Sequence, residues 1–401
     1  MRKGSIRHIV ALLLALALVA AACGDDSADT TTATTAAPAA TTTTQAADTT
    51  TTTEAPMACE ATIGFIGPIT GPVAFIGEVQ NNWFDYAIDS FNAETGYDIQ
   101  TVIGDNQFDP AQSGTIAAQF LDNSDIVATV GPAGSDQTDA AGAVFEAGDP
   151  NFTFISPSST RIGITDKYNG MFRTVPSDTD QAPLAADFMI GEGAQKVFIV
   201  DDQSSYSVAL ADLVSAALEA GNVAVTRESV SQDVTDFSAL VATIDADTDF
   251  IYLPWQVAAN GQILSNQMVE QGKNAVIVGS DGMDSGDFTT PGSYVAGFAI
   301  DIATLPASAE VLAGFLAQYP DTNTFGPPVY VAAQVIYDAI VRVCAAGEVP
   351  DRANVQAEVR KTDLAETILG SPVSFKANGD LEVGQFFLFQ IQDDGSKTLL
   401  P

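Results

Sequence analysis

Histidine is all but missing from this chain of 401 residues: the single one is His8, close to the amino terminus. A body without histidine excludes Ser-His-Asp and Cys-His nucleophilic catalysis, histidine-based zinc sites and HExxH peptidase chemistry. Basic residues are scarce too, 15 Lys and Arg against 51 Asp and Glu, for a formal charge of −36. So acidic a chain has no electrostatic hold on nucleic acid or on an anionic bilayer. The carboxylates are scattered rather than blocked, which fits a solvated surface better than an acidic binding patch. Cysteine occurs only three times, at Cys23, Cys59 and Cys344.

What is present begins with Arg2, Lys3 and Arg7, followed by an apolar run from Ile9 to Ala20 and small residues up to Cys23. The run is too short and too plainly flanked to cross a bilayer, so residues 1–22 read as a secretory signal that carries off His8. Small residues ending at a cysteine resemble the lipobox of bacterial lipoproteins, which implies lipidation at Cys23; the other reading is ordinary cleavage after Ala22. No later apolar run reads as a membrane span. With Cys23 lipidated, Cys59 and Cys344 remain as an even pair in an oxidising compartment, where a disulfide is expected.

Residues 23–58 hold almost no large apolar side chain, and 14 of the 24 residues from Thr30 to Thr53 are threonine. Such a stretch cannot bury enough surface to offset its ordering entropy and reads as a tether, spanning about 30 Å as a coil. From Cys59 onward, strand-like runs (Ile63–Ile66, Ile99–Ile103, Ile126–Val130, Phe152–Ile155, then Val197–Val200, Val223–Val225, Phe250–Leu253, Ala275–Val278) alternate with amphipathic segments. The alternation predicts an α/β fold with mostly parallel sheets flanked by helices. A stretch of this length exceeds one core and suits two lobes. Val329–Ala345 reads as a long apolar-faced helix, and "KANGD" (Lys376–Asp380) as the turn of a late hairpin, so the chain is expected to cross between lobes more than once.

In open parallel sheets, ligands bind beyond the carboxyl ends of the strands. Several strands here run into small or hydroxylic loops: "GPITGPVAFIG" (Gly67–Gly77), "GPAGS" (Gly131–Ser135), "SPSST" (Ser156–Thr160) and "GSDG" (Gly279–Gly282). Hydroxyls beside backbone N–H groups at a helix start suit a carboxylate, since the donors point outward and the helix dipole favours negative charge. Taken singly, each Ser or Thr reads as a cap or a turn residue. The Asp-rich "DADTDF" (Asp245–Phe250) starts like a calcium loop but lacks the glycine at position six and the glutamate at position twelve, so no metal is expected.

Together with "DNQFDP" (Asp105–Pro110), "FRT" (Phe172–Thr174) and "GQIL" (Gly261–Leu264), these loops resemble, in order and spacing, the type I periplasmic solute-binding proteins, specifically the branched-chain amino acid family of ABC importers. The resemblance covers most of residues 62–395. It implies two lobes joined by a hinge of several crossovers, lobe 1 from 59–175 with 304–372 and lobe 2 from 176–303 with 373–401. It further implies that Ser135 and Thr160, with Ser158 and Ser159 beside them, hold a ligand carboxylate, and that Asp281 receives an ammonium. Tyr206 matches an aromatic near the hinge side of the cleft. Phe75 and Ile76 in the first loop, and Trp255 and Gln256 in the second lobe, stand where the family places side-chain pocket aromatics; Ile76 and Gln256 depart from that pattern, and Gln256 suggests a ligand more polar than leucine.

The resulting expectation is a monomeric, lipid-anchored extracytoplasmic receptor that binds an amino acid or similar small zwitterion and hands it to an ABC permease, with no cofactor and no enzymatic activity. An amide, urea-like or aromatic-acid ligand is the rival within binding, and an ectodomain that passes its closed state to a membrane sensor is the rival outside transport. An enzyme without histidine would need a carboxylate pair or a Ser-Lys dyad, and no lysine stands near the cleft loops in sequence.

Overall fold

The computed structural model describes residues 59–401; the apolar run at 9–20, Cys23 and the threonine-rich stretch lie outside the described residues. The chain opens with β1 (Thr62–Gly67), α1 (Ala74–Thr95), β2 (Gln100–Asp105), α2 (Pro110–Asp122), β3 (Ile126–Val130), α3 (Ser135–Gly148), β4 (Thr153–Ser156) and β5 (Met171–Arg173). Local chemistry explains the boundaries. Asp109 caps α2 by accepting from the Ala111 and Gln112 N–H groups, with Pro110 in the first turn, and α1 ends at Gly96, whose φ of 74° is a left-handed cap. Every residue of β3, IVATV, is buried, as expected of a strand covered on both faces.

A second αβ series follows: α4 (Asp178–Gly191), β6 (Lys196–Asp201), α5 (Ser205–Ala220), β7 (Ala224–Ser229), α6 (Ser238–Thr243), β8 (Phe250–Leu253), α7 (Ala258–Glu270), β9 (Val276–Gly279) and β10 (Tyr294–Gly297). The chain then makes α8 (Ala309–Leu316), α9 (Pro327–Ala345), α10 (Arg352–Val359), the short ladder of β11 (Asp363–Leu364) with β12 (Val373–Ser374), and finally β13 (Phe387–Ile391) and β14 (Lys397–Leu399).

Two sheets result, ordered β2-β1-β3-β4-β5 and β14-β13-β10-β9-β8-β6-β7. The first is wholly parallel; in the second, β13 and β14 run antiparallel at one edge. Read from β7 to β10, the second sheet repeats the strand order of the first. Each sheet therefore has its switch point between its first and third strands, β1/β3 and β6/β8, where neighbouring crossovers leave to opposite faces and a crevice opens. The α/β class and the two-lobed architecture expected from the alternating periodicity are those observed.

By sheet and core membership, β1–β5 and α8–β12 belong to one lobe and α4–β10 with β13 and β14 to the other, so among the described residues the chain passes between lobes three times. The first-lobe core takes up the chain again at Ile302 and keeps Val373 and Leu381, so the last crossing lies some ten residues beyond the 372/373 boundary expected above. The reason is local. Around KANGD, Phe375 pairs with Leu381 and the Lys376 N–H donates to the Asp380 carbonyl at 2.7 Å, which makes a tight hairpin on lobe 1 rather than two strands of lobe 2. α9 is long and apolar enough to cross a membrane, but most of it is buried in the first core against α1 and β3. Trp83 of α1 stacks on Phe315 at 3.9 Å in the same core. The sulfur atoms of Cys59 and Cys344 are bonded, joining the start of β1 to the end of α9.

Candidate ligand-binding site

On the first lobe the loops after β3 and β4 are stitched together by hydroxyls. Ser156 Oγ donates to the Pro132 carbonyl at 2.6 Å and accepts from the Ser159 N–H at 3.0 Å; Ser158 Oγ donates to the Ala133 carbonyl and accepts from Gln80 Nε2, both at 3.0 Å. Ser159 Oγ donates to Ser135 Oγ at 3.2 Å, and the Arg161 N–H approaches the same oxygen at 3.4 Å. Ser135 thus accepts from two donors, while its own hydroxyl hydrogen has no acceptor among the described residues. Thr160 Oγ1 is fully buried, and its hydroxyl lies beside the Asp178 carboxylate, whose ionised form it favours. Of the hydroxyls singled out in sequence, Ser158 and Ser159 build the wall, Ser135 keeps its hydroxyl hydrogen to offer, and Thr160 links the wall to Asp178.

Arg173, from β5, holds this wall in shape. Its Nη1 donates to the carbonyls of Ser159 at 3.2 Å and Arg161 at 3.0 Å, on either side of Thr160, while its Nε donates to Asp380 Oδ1 at 2.8 Å. The KANGD hairpin therefore supplies the counter-charge for a buried guanidinium that positions the Thr160 peptide.

The second-lobe wall is acidic and aromatic. Asp281, just after β9, accepts on Oδ1 from Tyr206 Oη at 2.6 Å and from Gln181 Nε2 at 2.7 Å, and its N–H donates to Gln181 Oε1 at 3.0 Å. The same Gln181 amide donates to Asp178 Oδ1 at 2.8 Å. Asp178 is the first residue of α4, and its N–H donates to the Thr160 carbonyl at 2.9 Å, which ties the acidic pair to the hydroxyl wall across the first crossing. Tyr252 Oη is buried without a partner among the described residues. Burial pushes both carboxyls up from the usual range; for Asp178 the charge of Asp281 adds to the effect. The Tyr206 and Tyr252 hydroxyls are raised by burial and then by the two carboxylates. Two buried acids sharing one amide, with only the charge of Arg173 acting on Asp178, are poorly compensated, and a cation placed against them would relieve both.

Beside these walls an apolar cluster spans the lobes. Val73, Ile76, Phe108 and Ala133 come from lobe 1, Ala296 and Phe298 from lobe 2, and Phe325 from the segment before α9; Phe75 lies partly buried against them. Phe325 meets Phe75 edge-on at 6.1 Å and Phe298 at 5.3 Å. Trp255 sits differently. Its ring packs on Phe237 in the second-lobe core and its Nε1 donates to the Val200 carbonyl at 2.7 Å. Gln256 is buried beside it, and the turn carrying Asp281 packs so closely there that a Cβ on Gly282 would fall 2.4 Å from the Trp255 carbonyl oxygen. The glycine of "GSDG" is what lets Asp281 sit down on the end of β8.

Sequence reasoning missed Asp178, Gln181 and Tyr252. "SDTDQ" (Ser177–Gln181) reads as an ordinary helix start, with a serine cap and acids in the first turn, and that is the local role it also plays. Only the return of the chain from β9 puts Asp281 on the other side of the Gln181 amide.

Residues 60–396 match the family described as periplasmic binding protein. The Leu/Ile/Val-binding protein BraC3 of Rhizobium johnstonii is 28% identical over 349 residues, covering 84% of this chain and 93% of that one. The leucine-, isoleucine-, valine-, threonine- and alanine-binding protein of Pseudomonas aeruginosa is 29% identical over 354 residues, covering 84% and 91%. Among solved structures, the branched-chain amino acid transporter substrate-binding protein LivJ of Streptococcus pneumoniae, in complex with isoleucine, superposes with a TM-score of 0.75 at 23% identity, covering 85% of this chain and 99% of that one. The fold, the strand order and the match over most of the described chain agree: this protein belongs to the periplasmic binding protein family, whose members are extracytoplasmic solute binders rather than enzymes.

Proposed function

We propose that the protein is the substrate receptor of an ABC importer and closes its lobes on a free amino acid with an apolar side chain. One observation carries the reading: the buried, poorly compensated pair Asp178 and Asp281 stands against the Thr160 hydroxyl, with an apolar interlobe cluster alongside. In this reading the ammonium lies against Asp178 and Asp281, the carboxylate takes the hydroxyls of Ser135 and Thr160, and the side chain enters among Phe75, Ile76 and Phe298. Water is excluded on closure, so charge-assisted hydrogen bonds in the cleft gain strength. A ligand shifts the open–closed equilibrium only by its preference for the closed form, and the closed outer face is what a permease reads. The names of the relatives support the ligand class. Ser158, Ser159 and Tyr206 shape and orient these groups. Gln256 does not argue for a polar ligand in this reading, because the apolar cluster dominates the remaining wall. A lipid on Cys23 anchors the receptor and residues 24–58 give it reach.

A thermal-shift panel tests the ligand. Leucine, isoleucine or valine at about a hundred times its dissociation constant stabilises the protein by roughly 2.7 kcal/mol, and N-acetylation of the amino acid abolishes the shift. A response confined to amides or aromatic acids would discard the amino-acid reading. The mass of the amino-terminal peptide from membrane-extracted protein tests the anchor: an unmodified Cys23 refutes it.

A further inference from the structure

A second set of contacts joins the lobes away from the acidic pair. Asp136 is the second residue of α3, and its carboxylate accepts from the Ser205 N–H at 3.1 Å and pairs with the Ser205 hydroxyl. Ser205 is the first residue of α5, in the other lobe. Arg161 reaches the same Ser205 hydroxyl, lies 3.6 Å from Asp136 and pairs with Asp139 at 2.8 Å. Asp139 also accepts from Lys167 and Tyr168. Although burial opposes it, these hydrogen bonds, Tyr168 foremost, hold its carboxyl down at about 2, so it stays ionised at every working pH.

Everything in this cluster except Ser205 belongs to lobe 1. Arg161, Asp139, Lys167 and Tyr168 hold one another whether or not the lobes meet, so Asp136 is presented with its neighbours already ordered. On the facing side, the N-cap Ser204 satisfies the Ser207 N–H, which leaves the Ser205 N–H as one of the donors a helix start cannot satisfy within itself. An anion at the positive end of a 16-residue helix is electrostatically favoured as well. None of these residues belongs to the acidic pair, the Ser135–Thr160 wall hydroxyls or the apolar cluster.

We infer that Asp136 and Ser205 form a latch that engages when the lobes close and slows ligand escape without touching the ligand. Asp136 is a positioning residue. Its contact exists only in the closed form and adds to that form's stability, so breaking it raises the dissociation rate and leaves the encounter of ligand with the open cleft unchanged. This rests on the proposal that the lobes close on an amino acid.

The test uses the full chain with leucine as probe and two variants, Asp136→Ala and Ser205→Pro. Proline is well tolerated at a first helical position, and Ser204, at φ −67° and ψ 154°, already has the extended backbone that a following proline demands. Ser205→Pro therefore removes the N–H and hydroxyl donors while keeping the helix, and melting without ligand checks that both variants fold. Stopped-flow dissociation is expected to quicken about tenfold in each variant with association within twofold, and the double variant to be no worse than either single one. Unchanged dissociation, or effects that simply multiply in the double variant, overturns the latch. Failure of the wild type to bind leucine is a failure of the ligand proposal. The latch is then judged with whichever compound of the thermal-shift panel binds, where faster dissociation in both variants supports it and unchanged dissociation refutes it.

Discussion

Tyr206 Oη lies 2.6 Å from Asp281 Oδ1, a hydrogen bond between residues 75 apart in sequence, both buried in the second lobe. The phenol aims the carboxylate but does not neutralise it, and with Gln181 it leaves the pair Asp178 and Asp281 short of positive charge.

Asp281→Asn is expected to weaken leucine binding by about 2 kcal/mol or more, roughly thirtyfold, because the ammonium loses a buried counter-charge. The same change removes one of two repelling acids from the free protein, which is expected to melt at the same temperature or higher. Titration calorimetry and thermal melting read the two effects, and wild-type affinity in this variant refutes the ammonium assignment.

Stability should depend on pH in a direction set by the raised carboxyls. Asp178 and Asp281 hold their protons more tightly in the folded protein than in the unfolded chain, where an aspartate titrates near about 4. Their contribution is therefore present at about pH 4 and is lost as pH rises from there toward neutrality. An ammonium ligand prefers the ionised pair, so the stabilisation by leucine is expected to grow between pH 5 and pH 8. A ligand increment that shrinks over this range would contradict the placement.

Arg173 is almost wholly buried, and among the described residues Asp380 is its one ion-pair partner, at 2.6 Å. Asp380→Ala leaves the guanidinium buried and unpaired, at a cost of about 3–5 kcal/mol in chemical denaturation. Because Arg173 also holds the carbonyls flanking Thr160, ligand affinity is expected to fall in the same variant although Asp380 lies outside the site. Denaturation unchanged within about 0.5 kcal/mol would show that the ion pair is not what keeps this loop in place.

The Cys59–Cys344 bond closes a sequence separation of 285 residues. Its removal by Cys344→Ser is expected to cost about 2–5 kcal/mol, chiefly by releasing constraint on the unfolded chain. Two titratable thiols from these positions in the unreduced, denatured protein would show that the bond does not form.

Much of this could be read before the tertiary structure. Short apolar runs alternating with segments of period 3.6 specify an α/β chain, because a parallel strand buried on both faces is apolar along its length and the helix that covers it is apolar on one side. The hydroxylic loops announced themselves as unusual endings for buried strands, and they do lie at the carboxyl ends of both sheets. Trp255 shows the limit. Next to Gln256 it looked like a pocket aromatic, yet the pleat of β8 and the turn after it send the ring into the second-lobe core, which adjacency in sequence cannot reveal.

By itself, the sequence determined the fold class, the confinement of histidine to position 8 and the loops from which a site would be made, because each depends on composition or on spacing along the chain. Tertiary structure alone decided that Asp178 and Asp281 share the Gln181 amide, that Asp380 answers Arg173, and that Asp136 meets Ser205. Those pairings join residues some 70 to 210 positions apart or across a lobe crossing. A charge's partner is set by where the sheets and crossings bring the backbone, and no local pattern encodes it.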